Sequence, residues 1–309
     1  MTAQSFTPQA LTPQALTPRA LLLALAVVAV WGTNFAVIGD TLKTLPPLLF
    51  ATLRFAAVVF PLIFFVRRPD VPWRILAWYG LAIGVGQFGL LFLAIKGHIA
   101  AGLASLIVQT QVVFTIAMAM LGSGERLKPL QWPALALALA GLGVVIGHVG
   151  GEVSLAGIAL VLGAAFGWSL GNTAQRAAGK VDMLGFITWA SLFSVPPLAA
   201  LSLAVEGWPA IETGLAAMTP KIWVAVVWQA IGNTLFGYGA WGWLLARYPA
   251  SSVAPTSLLV PVFGMASTAL WLGEPLPGWK LLAAALIISG LALNLLASRR
   301  LLQPGSRKL

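Results

Sequence analysis

Two glutamines and a threonine lie in the middle of an apolar run, where a lipid-facing helix would carry leucine or valine. They are Gln109, Thr110 and Gln111, in the stretch LIVQTQVVF at residues 106–114. Amides and hydroxyls at this depth can hydrogen-bond a polar solute in a cavity, or they can bond a neighbouring helix. Because Gln111 lies two residues after Gln109, about 200° around a helix, we expect one amide to face a cavity and the other a neighbouring helix.

Further amide and aromatic side chains lie at mid depth in other apolar runs. Together they can surround a polar or zwitterionic solute with hydrogen-bond donors and acceptors while the cavity walls stay apolar. Interhelical bonding is the alternative for the amides, and an interfacial belt is the alternative for the tryptophans, although Trp31 fits a belt poorly because it lies mid-run. The candidate cavity residues of this kind are Trp31, Asn34, Gln87, Trp168, Asn172, Asn233, Tyr238 and Trp241.

Arg54, in LLFATLRFAAV, is the one formal charge placed deep in an apolar run. A buried arginine in a bilayer is costly, so it should find a partner or water. Two roles stay open, because the guanidinium can bind a substrate carboxylate or cap backbone carbonyls of a neighbouring helix. The lack of an aspartate or glutamate at mid depth favours a facilitator or a weakly coupled exporter, but Arg54, Glu125 and Glu274 leave proton coupling open.

Two prolines, Pro255 and Pro261, interrupt the apolar stretch SSVAPTSLLVPVFG. Each removes a backbone hydrogen bond and can kink a helix. In a transporter, such a break frees carbonyls near a binding site and permits bending, which makes the pair candidates for a gating role. An inert kink healed by neighbouring groups is the alternative.

Other chemistries lack the residues that they need. The sequence has no cysteine, and therefore no thiol nucleophile, disulfide or thiolate metal site. It has no metal-ligand cluster and no carboxylate pair at depth, so we expect neither an enzyme nor a metal or cofactor site. The net charge of +10 is not gathered into a basic stripe with interleaved aromatics, so we expect no nucleic-acid partner.

The elements that must position the candidate residues are helices in a membrane. The chain is 59% hydrophobic and 8% charged, whereas a soluble domain carries roughly 25% charged residues. Because lipid offers no water to satisfy an open strand edge, every span should be helical. We predict an all-α integral membrane protein with ten transmembrane helices, at residues 20–38, 46–66, 74–95, 99–121, 130–147, 155–175, 184–205, 222–245, 252–272 and 279–298.

The lysines and arginines are distributed unevenly between the two ends of these segments. With a cytoplasmic N-terminus, thirteen of the eighteen fall on the cytoplasmic side, four fall outside and Arg54 lies within a span. This asymmetry follows the positive-inside rule and predicts that both termini are cytoplasmic.

The sequence also repeats itself at an offset of 149 residues. VVFTIAMAMLGSGERL at 112–127 aligns with PVFGMASTALWLGEPL at 261–276, which pairs Glu125 with Glu274. Chance similarity between apolar helices is the alternative. If the repeat is real, each half holds five helices, an odd number, so the second half enters the membrane from the opposite side. A binding site is then expected between the halves near the midplane. The predicted parts are a disordered cytoplasmic tail at 1–19, a first repeat at 20–148, a second, inverted repeat at 149–300 and a basic tail at 301–309.

Several stretches together resemble the drug/metabolite transporter superfamily and, within it, the EamA family with two five-helix repeats. The resemblance covers residues 20–300 and is carried by VWGTNFAVI, PPLLFATLRFAAVVFPLIFF, AGLASLIVQTQVVFTIAMAMLGSGERL, VAPTSLLVPVFGMASTALWLGE and GLALNLL. The glutamine stretch, and PLLF followed by LRF, are similar to bacterial O-acetylserine/cysteine exporters. The proline-rich N-terminal tail has no counterpart in the family pattern.

The resemblance implies a multi-pass protein of the bacterial inner membrane that exports small amino-acid metabolites through a central cavity alternately open to each side. Export of aromatic or other neutral amino acids, or of drug-like solutes, is the alternative among transporters. A membrane scaffold or a lipid translocator is the alternative outside that class. The expected partners are a small amino-acid-like substrate and the lipid bilayer, while the oligomeric state stays open.

Overall fold

The computed structural model describes residues 16–123, 129–248 and 250–299, and these residues are helical apart from short connections. Most of the two predicted tails, and Glu125, lie outside the described residues. We number the helices in chain order and treat α-helical, 3-10 and π-helical segments as one helix where they follow each other closely. The helices are α1 (Pro18–Thr41), α2 (Pro47–Val59 and Leu62–Phe64), α3 (Trp73–Gly80, Leu81–Gly89 and Leu90–Ile95), α4 (Ala101–Ile107, Val108–Thr110 and Gln111–Ser123), α5 (Gln131–Ile146), α6 (Leu155–Ala178), α7 (Met183–Ser191, Val195–Leu201 and Ser202–Glu206), α8 (Trp208–Ala216), α9 (Pro220–Val227, Trp228–Phe236 and Gly237–Arg247), α10 (Ala250–Val253, Ala254–Leu259 and Val260–Leu272) and α11 (Gly278–Arg299).

Helices α1 and α6 begin in the same way, at a hydroxyl that caps the first turn. Thr17 Oγ1 accepts a hydrogen bond from the backbone N–H of Ala20 at 3.3 Å, and Ser154 Oγ accepts one from Gly157 at 2.9 Å. Such caps satisfy N–H groups that have no partner inside the helix. Each helix then continues for 24 residues. At 1.5 Å per residue this length exceeds the roughly 30 Å hydrocarbon core of a bilayer.

Seven of the described helices are long and apolar enough to cross a membrane, and the count rises to eight if the bent pair α8 and α9 forms one span. The prediction of an all-helical, multi-pass membrane protein is thus confirmed. Each of the ten predicted segments coincides with a helix, although α5 and the apolar part of α10 are shorter than the others. Ten crossings, two inverted repeats and cytoplasmic termini stay predictions.

Helix α8 is an addition to the segments expected from the sequence. It follows Gly207, whose φ of +79° favours glycine, and Pro209 stands in its first turn. It is bent by 106° from α9, so it does not continue the direction of that helix. Its Gly214 packs close to α2, because a Cβ there would lie 2.7 Å from Pro46 Cδ.

A row of glycines lets α6 approach α3 closely. A Cβ at Gly163 would lie 2.9 Å from Leu90, one at Gly167 would lie 2.6 Å from Gly86, and one at Gly171 would lie 2.4 Å from a side-chain atom of α3. Small residues at four-residue spacing form such contacts in membrane helices. The middle of α3 is therefore held against α6.

Four helices lose regular α-helical geometry near their middles. Helices α3 and α9 become π-helical at Leu81–Gly89 and Trp228–Phe236, while α4 and α10 become 3-10 helical at Val108–Thr110 and Ala254–Leu259. Such segments change backbone hydrogen bonding and are frequent at functional sites. Each half of the sequence contributes one segment of each kind, in the same order along the chain.

Candidate functional site

The four irregular segments line one chamber of about 70 Å³ in the interior of the protein. Its walls combine apolar side chains with amides, indoles and a phenol, so it offers hydrogen-bonding groups in an otherwise apolar setting. Eight of the eleven residues predicted to line a cavity meet here, and only Arg54, Asn172 and Trp241 lie elsewhere. The lining residues are Trp31, Asn34, Phe35, Ile38, Gln87, Phe88, Leu91, Val108, Gln109, Gln111, Trp168, Asn233, Tyr238, Ser257 and Val260.

The two glutamines of α4, in the first half of the sequence, bond residues of α10 and α6 in the second half. Gln109 Nε2 donates to the backbone oxygen of Ser257 in α10 at 3.5 Å. Gln111 Oε1 accepts a hydrogen bond from Asn172 Nδ2 in α6 at 3.5 Å. Asn172 Oδ1 in turn accepts from the indole of Trp168 at 3.1 Å. At 3.5 Å the two glutamine bonds are long, so the amides can change partners.

The expectation that only one of these glutamines faces the cavity is wrong, because both line the chamber. The reason is the 3-10 segment Val108–Thr110 that contains Gln109 and precedes Gln111. At three residues per turn, two successive steps leave the side chains about 120° apart, whereas an α-helix leaves them about 160° apart. Thr110 does not line the chamber; its hydroxyl donates to the carbonyl of Ile107 at 2.8 Å.

Trp31 joins α1 to α9 beside the chamber. Its Nε1 donates to the backbone oxygen of Asn233 in the π-helical segment at 3.2 Å. Its ring centroid lies 5.6 Å from that of Tyr238 and 5.2 Å from that of Trp241. Trp31 is thus an interior residue, as its mid-run position predicted, and it is not part of an interfacial belt.

Two amides of the chamber differ in their hydrogen bonding. Asn34 and Gln229 exchange hydrogen bonds, with Asn34 Nδ2 donating at 3.2 Å and Gln229 Nε2 donating at 2.7 Å. Oε1 of Gln87 is buried and accepts no hydrogen bond from the described residues. The amide of Asn34 is therefore engaged by Gln229, while Oε1 of Gln87 stays available as a hydrogen-bond acceptor next to the chamber.

A vestibule of about 690 Å³ adjoins the chamber. Asn172 and Trp241 line this vestibule, which is where the structure places these two predicted cavity residues. It extends to Arg176 and Gly179, which are exposed at the end of α6. The residues that line both cavities are Trp31, Gln111, Trp168, Tyr238 and Ser257.

Arg54, predicted to face the cavity, lies behind the chamber wall instead. Its side chain is fully buried, and Nη2 donates to Thr234 Oγ1 at 2.9 Å. The guanidinium carbon lies 3.5 Å from the ring centroid of Phe88 and 5.1 Å from that of Phe55. Phe88 also lines the chamber, and its ring lies against the guanidinium of Arg54. The described hydrogen bond of Arg54 is made to a side-chain hydroxyl, not to a backbone carbonyl.

Pro255 and Pro261 stand where the sequence predicts an interruption of α10. Pro255 is the second residue of the 3-10 segment Ala254–Leu259, and Pro261 stands in the first turn of the α-helical segment after it. A proline lacks the N–H that would continue a regular helix. The interruption contains Ser257, whose backbone oxygen faces the chamber glutamine of α4.

At the end of the bundle away from the vestibule, glutamates hold the starts of two helices. Glu274, directly after α10, accepts hydrogen bonds from the backbone N–H groups of Ala101 and Gly102 at 2.8 and 2.9 Å. Glu206, at the end of α7, does the same for the first turn of α2 at 2.6 and 3.1 Å. Glu274 therefore fixes the end of α10 to the start of α4.

Three residues of this region, Phe88, Thr234 and Ser257, were not expected from the sequence. Ser257 had an indirect signal, since it lies between the two prolines of α10. Phe88 is one of fifteen phenylalanines and Thr234 is a hydroxyl in an apolar run, so neither is distinguished by residue type. Their importance depends on which helices meet, which the sequence alone does not specify.

The described residues contain no group of three or more histidine, aspartate or glutamate side chains that could hold a metal ion. The chamber instead offers reversible hydrogen bonding to a small solute. The profile of the EamA-like transporter family matches residues 18–147 and again residues 155–296. The chain belongs to the EamA-like transporter family. It is therefore a membrane transporter rather than an enzyme.

Two relatives match this EamA-family chain over most of its length. A probable amino-acid metabolite efflux pump of Salmonella typhimurium strain LT2 is 43% identical over 283 residues, covering 90% of this chain and 95% of the relative. A protein of the same description from Escherichia coli K12 is 42% identical over 284 residues, with the same two coverages. A solved crystal structure covers 93% of this chain and 99% of its own with a TM-score of 0.62 and 21% identity, which shows a shared fold.

Proposed function

We propose that this chain exports small amino-acid metabolites, of the O-acetylserine and cysteine type, across the bacterial inner membrane. The observation that carries the proposal is the amide- and indole-lined chamber at the meeting point of four irregular helix segments. Such a chamber can replace the water around a zwitterion while the rest of the protein stays apolar. The two relatives, both described as probable amino-acid metabolite efflux pumps, agree with this substrate class.

Transport by alternating access requires two halves that can move against each other around this chamber. We propose that residues 20–148 and 149–300 are these halves and that they have opposite orientations in the membrane. The double match of the family profile supports the division. The π-helical and 3-10 segments that line the chamber support it too, because each half supplies one of each kind to the lining. Their meeting point is where inverted-repeat transporters bind substrate.

The vestibule supports a direction of loading. It opens beside Arg176, at the end of the helices that the distribution of lysine and arginine assigns to the cytoplasm. A conformation open on this side can receive a solute from inside the cell. Pro255 and Pro261, at the break of α10, are proposed to let that helix bend as the chamber changes sides.

The proposed substrate has a short side chain. The chamber is small, and its polar surface consists of neutral amides and aromatic polar groups, including Gln109, Gln111 and Asn233. These groups can hydrogen-bond the polar side chain of an amino acid as well as its charged groups. A large aromatic side chain would have to extend into the vestibule. Short neutral amino acids and their O-acetylated derivatives are therefore favoured over aromatic ones.

Counterflow in proteoliposomes tests this function. Purified protein is reconstituted into vesicles preloaded with L-cysteine under reducing conditions, and uptake of radiolabelled L-cysteine is measured. We expect uptake above protein-free vesicles, competition by O-acetyl-L-serine and L-serine, and weak competition by L-tryptophan. Strong competition by L-tryptophan with none by O-acetyl-L-serine would reverse the proposed substrate preference.

Chamber variants show whether the flux depends on the site. Gln109→Ala and Gln111→Ala should each reduce uptake about tenfold, as expected when roughly 1.4 kcal/mol of binding is lost. Gln131→Ala is the matched control, because Gln131 bonds Asn294 of α11 at 3.1 Å and lies outside the chamber. Wild-type rates in well-folded Gln109 and Gln111 variants would show that these amides are only structural.

A further inference from the structure

Two side chains next to the chamber have buried polar atoms without a hydrogen-bond partner among the described residues. They are Arg54, through Nε and Nη1, and Gln87, through Oε1. Arg54 is 0% exposed and Gln87 is 1% exposed. Buried polar groups are normally paired, so an exception beside a cavity requires an explanation.

The charge of Arg54 also lacks compensation. The ion pairs among the described residues are formed by lysines with Asp40 and Glu152, and none includes Arg54. Its described contacts include the hydroxyl of Thr234 and the rings of Phe88 and Phe55. A cation that is fully buried in a membrane protein, with no acid beside it, is a strong binding site for an anionic group.

The unpaired atoms have opposite hydrogen-bonding characters. The N–H groups of Arg54 are charged donors and need an anionic acceptor, while Oε1 of Gln87 is an acceptor and needs a donor. A free α-amino acid carries both complements, a carboxylate and an ammonium group, on one carbon atom. Gln87 lines the chamber directly, and so does Phe88, the next residue, whose ring lies against the guanidinium of Arg54.

We propose that Gln87 Oε1 accepts a hydrogen bond from the α-ammonium group of the substrate and that Arg54 binds its α-carboxylate after the Phe88 ring moves aside. This inference rests on the proposed function and restricts its substrates to compounds with both groups free. The side chain of the substrate then points away from Arg54, toward the amides of α4. Molecules that lack either charged group are poor substrates.

The helix that carries Phe88 has the means to move it. Phe88 lies in the π-helical segment Leu81–Gly89, which accommodates an additional residue relative to an α-helix. Return to α-helical hydrogen bonding turns the residues on one side of the segment by about 100° relative to the other side. Thr234 holds the guanidinium in place while the Phe88 ring moves, because its hydroxyl accepts a hydrogen bond from Arg54 and donates one to the backbone oxygen of Gln229 at 2.8 Å.

Three compounds with the same thiol-bearing skeleton separate the two contacts. L-cysteine has both charged groups, cysteamine lacks the carboxylate, and 3-mercaptopropionate lacks the ammonium group. Each is tested as a competitor of radiolabelled L-cysteine in proteoliposomes and as a stabiliser of the melting temperature in detergent. For the wild type, L-cysteine should be effective at concentrations at least about tenfold lower than either analogue, the ratio that corresponds to ~1.4 kcal/mol.

Each variant should remove one preference and keep the other. Arg54→Gln should reduce the preference for L-cysteine over cysteamine to about twofold while retaining that over 3-mercaptopropionate, since only a charge-assisted bond to the carboxylate is lost. Gln87→Leu should give the opposite pattern. Arg68→Gln is the matched control, because its guanidinium lies 4.2 Å from the ring centroid of Trp73, outside both cavities. It should keep both preferences.

The outcomes separate this inference from the proposed function. If the wild type transports L-cysteine and both folded variants keep both preferences, the inference is overturned and the proposed function stands. If the wild type transports no amino acid, both are overturned. Should Arg54→Gln fail to fold, phenylglyoxal labelling of wild-type Arg54 replaces it, with mass-spectrometric detection. L-cysteine must then slow the labelling and cysteamine must not; equal rates contradict the assignment.

Discussion

Asn34 and Gln229 form a reciprocal pair of side-chain hydrogen bonds, at 3.2 and 2.7 Å, between α1 and the π-helical segment of α9. Asn34 is 3% exposed and Gln229 is 0% exposed. Each amide therefore satisfies the other where no water is available. The pair joins residues 195 positions apart and sits at the chamber wall, so it fixes the position of α9 relative to α1.

We expect each single substitution in this pair to destabilise the protein more than the double substitution does. Asn34→Ala or Gln229→Ala leaves a buried amide unpaired, which costs ~1–3 kcal/mol. Removing both leaves no unpaired amide, so the effects should not add and the coupling energy should be at least about 1 kcal/mol. Thermal unfolding of the four proteins in one detergent measures the cycle. Strictly additive effects would show that the two amides do not depend on each other.

The polar interior could be predicted from the sequence because a polar residue is conspicuous in an apolar run. Gln87, Gln109 and Asn233 were identified in this way, and all three line the chamber. What could not be predicted is which polar atoms have partners. Gln87 and Gln229 look alike in sequence, yet Oε1 of Gln87 has no hydrogen-bond partner among the described residues, whereas Gln229 exchanges two hydrogen bonds with Asn34 of α1.

The close contact of α6 with α3 predicts a strong effect of one added methyl group. In Gly167→Ala the new Cβ would lie 2.6 Å from a backbone atom of Gly86, which cannot move without shifting α3. Overpacking of this kind costs about 1–3 kcal/mol. We expect a lower melting temperature. Because the π-helical segment of α3 is displaced, we also expect unlabelled L-cysteine to compete less well with radiolabelled L-cysteine in the proteoliposome uptake assay.

Gly143→Ala provides the matched control for this contact. Gly143 is also helical, but a Cβ there would meet nothing within 4 Å. Alanine is favoured over glycine in a helix by up to ~1 kcal/mol, so this variant should be neutral or slightly stabilised. Equal melting temperatures for the two variants would mean that α6 and α3 do not touch as described.

An ion pair near the start of α11 predicts unequal effects of removing its two members. Lys280 Nζ lies 2.6 Å from Glu152, and the lysine side chain is 3% exposed whereas the glutamate is 45% exposed. Lys280→Met leaves a glutamate that water can reach, so this variant should lose less than about 1 kcal/mol of the free energy of unfolding. Glu152→Ala leaves a buried ammonium group that keeps its bond to the carbonyl of Pro275 but has lost its charged partner, which should lower the stability by ~1–3 kcal/mol.

Unfolding experiments on the two variants in parallel give the comparison. Glu212→Ala, at an exposed position of α8, should change the stability by less than about 0.5 kcal/mol and serves as the control for removing a surface glutamate. A larger loss for Lys280→Met than for Glu152→Ala would contradict the burial of the lysine.

The irregular helix geometry marks the limit of what the sequence predicts. Pro255 and Pro261 do mark the break of α10, because proline has a fixed backbone consequence. The segments Leu81–Gly89 and Val108–Thr110 contain no proline and depend on packing against other helices. The packing of the Phe88 ring against Arg54 also depends on such tertiary contacts. So does the position of the short helix α8.

The bond between Glu274 and the first turn of α4 determines how the two broken helices can separate. It joins α4 and α10 at one end, while the vestibule lies between other parts of these helices at the opposite end. The 3-10 segment of α4 lies between the joined end and the vestibule, whereas that of α10 lines the vestibule through Ala254 and Ser257. We expect α4 and α10 to pivot about the Glu274 carboxylate, so that they separate at the vestibule end while their other ends stay joined.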